Sequence, residues 1–250
     1  MKKSIQLIFI LALAFVYHAC DDNLPVVEGT GSLEIAFKGE YENFYWVKGQ
    51  SYDYFNRGNI LFTKSEFFLS KLALYHEGLK QALSEVEYVS ISEHHVSETK
   101  ASEGLILRFE GIPAATYDSL AFNLGLTETQ NKTKPVEYLP THPLGEGSRY
   151  WAGWNSYIYS KTEGSYNDGT KAYNFTYHSG FDDAMKPLLF KKSILIEKDK
   201  TTKIILHVNH KLLFADSLQG MDIASNPQIH NKSTVMDAFM NRFKDAFRIE

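Results

Sequence analysis

The sequence predicts an all-β fold, an antiparallel β-sandwich finished by one C-terminal amphipathic helix. Three observations predict it. Short segments with alternating apolar and polar residues recur along the chain, separated by clusters of Gly, Pro, Asn and Asp, as in sandwiches and barrels. From Ser233 onward the period changes to helical spacing. Aromatic residues make up 14% of the chain and crowd into Arg149–Gly180, which holds Trp151, Trp154 and six tyrosines. Rings at that density bury a large apolar area, while each indole N–H and phenol O–H still needs a partner.

The chain opens on Met1-Lys2-Lys3, followed by twelve positions from Ile5 to Val16 that are apolar except for Gln6. A helix needs about 20 apolar residues to span a bilayer, so residues 1–19 read as a signal peptide. Ala19-Cys20 makes it one of the lipoprotein type, with Cys20 as the lipidated residue at the membrane. As the chain's one cysteine, Cys20 has no disulfide partner within it. Acylation at more than one position would supply a stable anchor. Asp21-Asp22-Asn23 resemble an export signal of surface lipoproteins. These features place the protein in the cell envelope, anchored to the outer membrane by lipid. Residues 20–31 form a tether, and residues 32–250 form one sandwich domain. The net charge is −4, or −6 once Lys2 and Lys3 are removed (24 basic against 30 acidic). That leaves no basic footprint for nucleic acid.

Within the domain, Ser32–Lys38 sets Leu33, Ile35 and Phe37 on one face. Phe67–His76 is a long strand, and Glu77-Gly78 reads as a turn. Tyr88–Ser92, Leu105–Glu110 and Ser119–Leu126 follow. Tyr173, Phe175 and Tyr177 alternate with Asn174, Thr176 and His178. Ser193–Glu197 and Lys203–Val208 are two further strands. In the C-terminal segment Val235, Met236, Phe239, Met240, Phe243, Ala246 and Phe247 share one helical face, with Ser233 as N-cap and Asp237 in the first turn. Its methionines read as core filler.

Eight histidines follow His18. His207 and His210 are an odd number of residues apart in a strand, which sends them to opposite faces. His94 and His95 are adjacent in a polar stretch, and these four read as surface residues. His178 differs: it ends a strand beside Ser179-Gly180, on the polar Asn174/Thr176 face, and is a candidate metal ligand. His76 and His142 are candidate second ligands by their positions at a strand end and in a loop. No Gly-x-Ser-x-Gly, His-Glu-x-x-His or phosphate-binding glycine loop occurs, so no enzyme is predicted.

From Trp151 to Gly180 the chain resembles the MbnP-like copper-binding domain family of bacterial lipoproteins. The family pattern is a Trp-rich run, then Gly-Tyr, an apolar pair, Lys-x-Glu-Gly, and a strand ending in His-x-Gly. Here these are Trp151, Tyr157, Ile158, Lys161, Glu163, Gly164, His178 and Gly180. The family's Trp-x-Trp is one residue longer in this chain, Trp151-Ala152-Gly153-Trp154, and Ser156 stands where Gly is usual. Ile60–Leu74, Phe122–Gly125, Val208-Asn209 and Leu213-Phe214 match further pieces, so the resemblance covers most of Ser32–Phe247. It implies copper as the bound metal, with His178 in the site. It also implies a tryptophan, best matched by Trp151, that a partner di-haem protein oxidises to kynurenine. A second reading makes Trp151 and Trp154 an aromatic platform for a carbohydrate or a protein partner.

Overall fold

The computed structural model describes residues 29–214 and 222–250; the expected signal peptide, Cys20 and most of the expected tether lie outside them. The strands are β1 (Thr30–Tyr41), β2 (Phe44–Tyr45), β3 (Ser51–Asp53), β4 (Asn59–His76), β5 (Leu79–Ser90), β6 (Leu105–Pro113) and β7 (Ala115–Leu124). After a long irregular crossover come β8 (Tyr150–Trp151), β9 (Ser156–Asn167), β10 (Ala172–Gly180), β11 (Lys186–Ile196), β12 (Thr201–Asn209), β13 (Gln228–Ile229) and β14 (Phe247–Ile249). Three short helices, α1 (Ile91–His94), α2 (Glu98–Glu103) and α3 (Glu128–Asn131), lie in connections, and α4 (Thr234–Asp245) precedes the last strand. The first strand therefore takes in Thr30 and Gly31, two residues assigned above to the tether.

Two sheets form a sandwich. The smaller runs β14–β12–β1–β2 with β6 also on β1; the larger runs β11–β7–β4–β9–β10–β13, with β3 and β5 on β4 and β8 on β9. Most pairs are antiparallel, as predicted. Two are parallel, β1 with β12 and β10 with β13, and neither was apparent in the sequence because the partners are far apart along the chain. Between the sheets Phe67 meets Phe37, Phe243 and Phe247 with ring centroids 5.3–6.2 Å apart.

β4 is buried on both faces. Phe67 fills the inter-sheet core, while its neighbour Phe68 packs outward against Tyr88 and Tyr157 at 4.8 and 5.9 Å. Over that outer cluster folds the crossover between β7 and β8, whose Leu144 is buried and accepts a hydrogen bond from the Tyr157 hydroxyl at 2.9 Å. β4 turns into β5 at Glu77-Gly78, where φ is +50° and +84°, the paired left-handed conformations of a tight hairpin turn.

The predicted helix is present as α4, and Ser233 Oγ accepts a hydrogen bond from the Met236 amide at 3.2 Å. Met236, Phe239, Met240 and Phe243 are buried. The surface reading of the histidines needs correction. His94 is exposed, but His95 and His210 are fully buried and His207 is 3% exposed. Each has polar partners: for His207 these are the part-buried Glu40 carboxylate at 2.6 Å and the exposed Glu250 carboxylate at 3.0 Å.

Candidate metal centre

The site begins with the hairpin of β9 and β10. Its register sets Thr176 opposite Glu163 and His178 opposite Lys161. Residues directly opposite share a face, so the period-two pattern turns Phe175 and Tyr177 into the core and Glu163, Thr176 and His178 outward. β4 lies on the other side of β9 and places Lys64 opposite Glu163. His178 and Glu163 are diagonal neighbours, and His178 Nε2 is 2.9 Å from Glu163 Oε1. The Lys64 ammonium is 3.7 Å from the same oxygen. The hydrogen bond from His178, aided by the Lys64 charge, holds the Glu163 carboxyl below the usual carboxylate range against the opposing effect of burial.

The second histidine is His230, which the sequence did not single out. β13 pairs in parallel with β10, Thr176 against Gln228 and Tyr177 against Ile229. The Thr176 amide donates to the Pro227 carbonyl at 2.9 Å. One residue further along this register, His230 stands beside His178, and the two rings stack at 4.8 Å with 28° between their planes. Burial, and then the neighbouring His178, push the His230 pKa down, favouring neutral imidazole.

Trp151 forms the third wall. β8 pairs Trp151 with Ser156 at the start of β9. The chain then reverses through one 3-10 turn, Ala152–Trp154, and leaves it at Asn155 in the left-handed region (φ 54°). This reversal stacks Trp154 on Trp151, 4.5 Å apart and 13° from parallel. The Trp151 ring meets His230 at 5.3 Å and His178 at 6.1 Å, edge to face. Trp154 lies behind it, against Phe181 at 5.0 Å. Gly180 makes room for this: a Cβ there would come within 2.9 Å of both Trp154 and the Tyr157 carbonyl. Gly164 is likewise required, since a Cβ would meet the Leu61 carbonyl at 2.0 Å.

His178 Nδ1 and His230 Nε2 are both buried and have no hydrogen-bond partner. Each of these atoms carries a desolvation cost of about 1–3 kcal/mol, and buried polar atoms of native proteins rarely go unpaired without a reason. Two such nitrogens on adjacent, stacked imidazoles fit a metal that takes nitrogen donors, among them copper, zinc, iron and nickel. Glu163 holds the other nitrogen of His178, in the usual manner of a carboxylate behind a metal-ligating histidine.

The other predicted ligands stand elsewhere. His76 Nδ1 is 2.7 Å from the Thr116 carbonyl, and its ring meets Tyr117. His142 caps a 3-10 turn by accepting from the Leu144 amide at 3.1 Å and stacks on Tyr138 at 4.4 Å. Both have local partners and neither ring contacts His178. The structure therefore brings His178 together with Trp151, with Trp154 behind, and the histidine beside His178 is His230, not His76 or His142.

Fold and site together define a β-sandwich domain that presents a histidine pair, walled by tryptophan, on the outer face of one sheet. The chain belongs to the MbnP family, whose model matches residues 30–236. Its fold is similar to that of MbnP from Methylosinus trichosporium, with a TM-score of 0.53 over 75% of this chain and 78% of that one, at 10% sequence identity. No curated protein matches it in sequence.

Proposed function

We propose that this protein is a cell-envelope lipoprotein that binds copper at His178 Nδ1 and His230 Nε2 and handles the metal without catalysing a reaction. The observation that supports it is the pair of buried imidazole nitrogens without partners. Among the described residues no group of three His, Cys, Asp or Glu converges on one point. A structural zinc site uses four protein ligands and a catalytic one three, so two histidines suit zinc poorly. Cuprous copper accepts low coordination numbers, which favours copper. Trp151, which meets both imidazoles, is the tryptophan best situated for oxidation by a di-haem redox partner; Trp154 contacts Trp151 and Phe181 instead. The stacked arrangement also weakens the platform reading, because each indole uses one face on the other.

Titration of the purified protein with Cu(I) and Cu(II) against a competing chelator tests this. Submicromolar binding is expected, with quenching of Trp151 fluorescence. His178→Ala and His230→Ala should each weaken it by more than the roughly 10–100-fold typical of losing an outer partner, while His76→Ala and His142→Ala should leave it unchanged. Binding should weaken as pH falls, because protons compete for the ligand nitrogens, and the lowered pKa of His230 keeps its nitrogen available to more acidic pH than an ordinary imidazole. Affinity no tighter than micromolar, or equal affinity in wild type and the His178 and His230 variants, would overturn the copper assignment.

A further inference from the structure

We infer that Glu163 is the positioning residue of this site: it fixes His178 as the tautomer with hydrogen on Nε2, and so aims the Nδ1 lone pair at the metal. The inference rests on the metal reading above, but its first step concerns the metal-free protein. An ionised carboxylate only accepts hydrogen bonds. With Glu163 Oε1 2.9 Å from His178 Nε2, the neutral ring must carry its one hydrogen on Nε2. The nitrogen left with a lone pair is then Nδ1, the atom that is buried without a partner. The opposite tautomer would bury an unpaired Nδ1–H and set the Nε2 lone pair against a carboxylate, and both are unfavourable.

The three side chains come from three adjacent strands. Lys64 on β4 faces Glu163 on β9, and Glu163 reaches diagonally to His178 on β10. A constellation held by a sheet is set more tightly than one on loops. Lys64, 3.7 Å away, helps keep Glu163 ionised, and ionisation is what gives it command of the tautomer. A glutamine of the same shape could donate as well as accept, and would permit either tautomer. The carboxylate has a further effect once metal is bound. Its attraction scales with the charge of the ion, so it stabilises a cupric ion more than a cuprous one.

Nitrogen-15 NMR of the histidine rings, recorded on the metal-free protein above the histidine titration range, reads the tautomer directly. Wild type should show His178 with a protonated Nε2 and an unprotonated Nδ1. Glu163→Gln should give a mixture of tautomers and weaken copper roughly 10–100-fold, with the larger loss for Cu(II). A proton on Nδ1 in the wild-type protein would overturn the inference whatever the variant does, as would a Glu163→Gln protein with an unchanged tautomer or unchanged affinity for both copper ions. A wild-type protein with the expected tautomer that binds no copper would instead refute the proposed function and leave the tautomer assignment standing.

Discussion

At the scale of single residues, the deepest polar chemistry in the molecule surrounds Trp46, which is fully buried. Its indole N–H donates to His210 Nδ1 at 3.0 Å, and His95 Nδ1 is 2.6 Å from its carbonyl. The Gly39 amide donates to His95 Nε2 at 3.2 Å, and His210 Nε2 lies 2.7 Å from Ser65 Oγ. Each histidine uses one nitrogen as acceptor, so both are neutral. Burial lowers their pKa values to about 4 for His95 and about 3 for His210. Unfolding releases rings that titrate near 6.5. The stability that comes from keeping these rings neutral is complete above pH 6.5 and is lost as pH falls toward 4. Once below 6.5, each pH unit costs about 1.4 kcal/mol per histidine. Denaturant unfolding at a series of pH values should show this slope, and His95→Gln should reduce it; an equal slope in both proteins would disprove it. None of this burial was legible locally. His95 lies in a polar stretch, and His210 follows directly on the end of β12, where a 3-10 helix begins. What buries them is a tryptophan distant in sequence, for which Gly39 leaves space: a Cβ there would fall 2.1 Å from the indole nitrogen.

At the scale of elements, legibility followed the length and regularity of the pattern. α4 was readable up to its last turn because its apolar face repeats over twelve residues behind a serine cap, whereas Phe247, expected on that face, lies beyond the helix in β14, paired with Val208. Phe243 packs edge-on against Phe67 at 5.3 Å and stacks on Phe247 at 5.8 Å. Phe243→Ala should therefore cost roughly 3–5 kcal/mol, and Ser233→Ala about 1 kcal/mol, both measurable by chemical denaturation. A loss below about 0.5 kcal/mol for Phe243→Ala would show that the helix does not pack there. β10 was equally plain, and His178 with it. β13 was not: it has two residues, too few for any period, and it follows a proline. Its parallel register with β10 is a tertiary fact, and that register is what delivers His230. Trp151 and Trp154 were visible as residue types, whereas their stacking depends on one left-handed residue, Asn155.

At the scale of the whole molecule, the sandwich is a support and the site is a surface feature of it. His178, His230, Glu163, Trp151 and Trp154 all lie on the outer face of the larger sheet or on the chain that crosses it, so the inter-sheet core can form without them. The variants proposed for the site should accordingly retain the fold. A lipid on Cys20, as proposed for the envelope location, would hold this support at the membrane a short tether away from β1. Cys20→Ala should release the protein from membrane fractions or leave its precursor uncleaved. Full membrane retention of a correctly cleaved variant would refute the anchor.

The parallel pairing of β1 with β12 sets Ser32 beside Thr201 and Glu40 beside Asn209. The first strand of the domain thus lacks one of its neighbours until the last quarter of the chain has been made. Closing so long a loop is slow, and contacts of this separation put a protein among the slower folders, in milliseconds to seconds. Export to the envelope, as proposed above, would require the chain to cross a membrane in extended form. A domain whose central strand waits for a late partner would stay threadable during synthesis and acquire its final shape after passage.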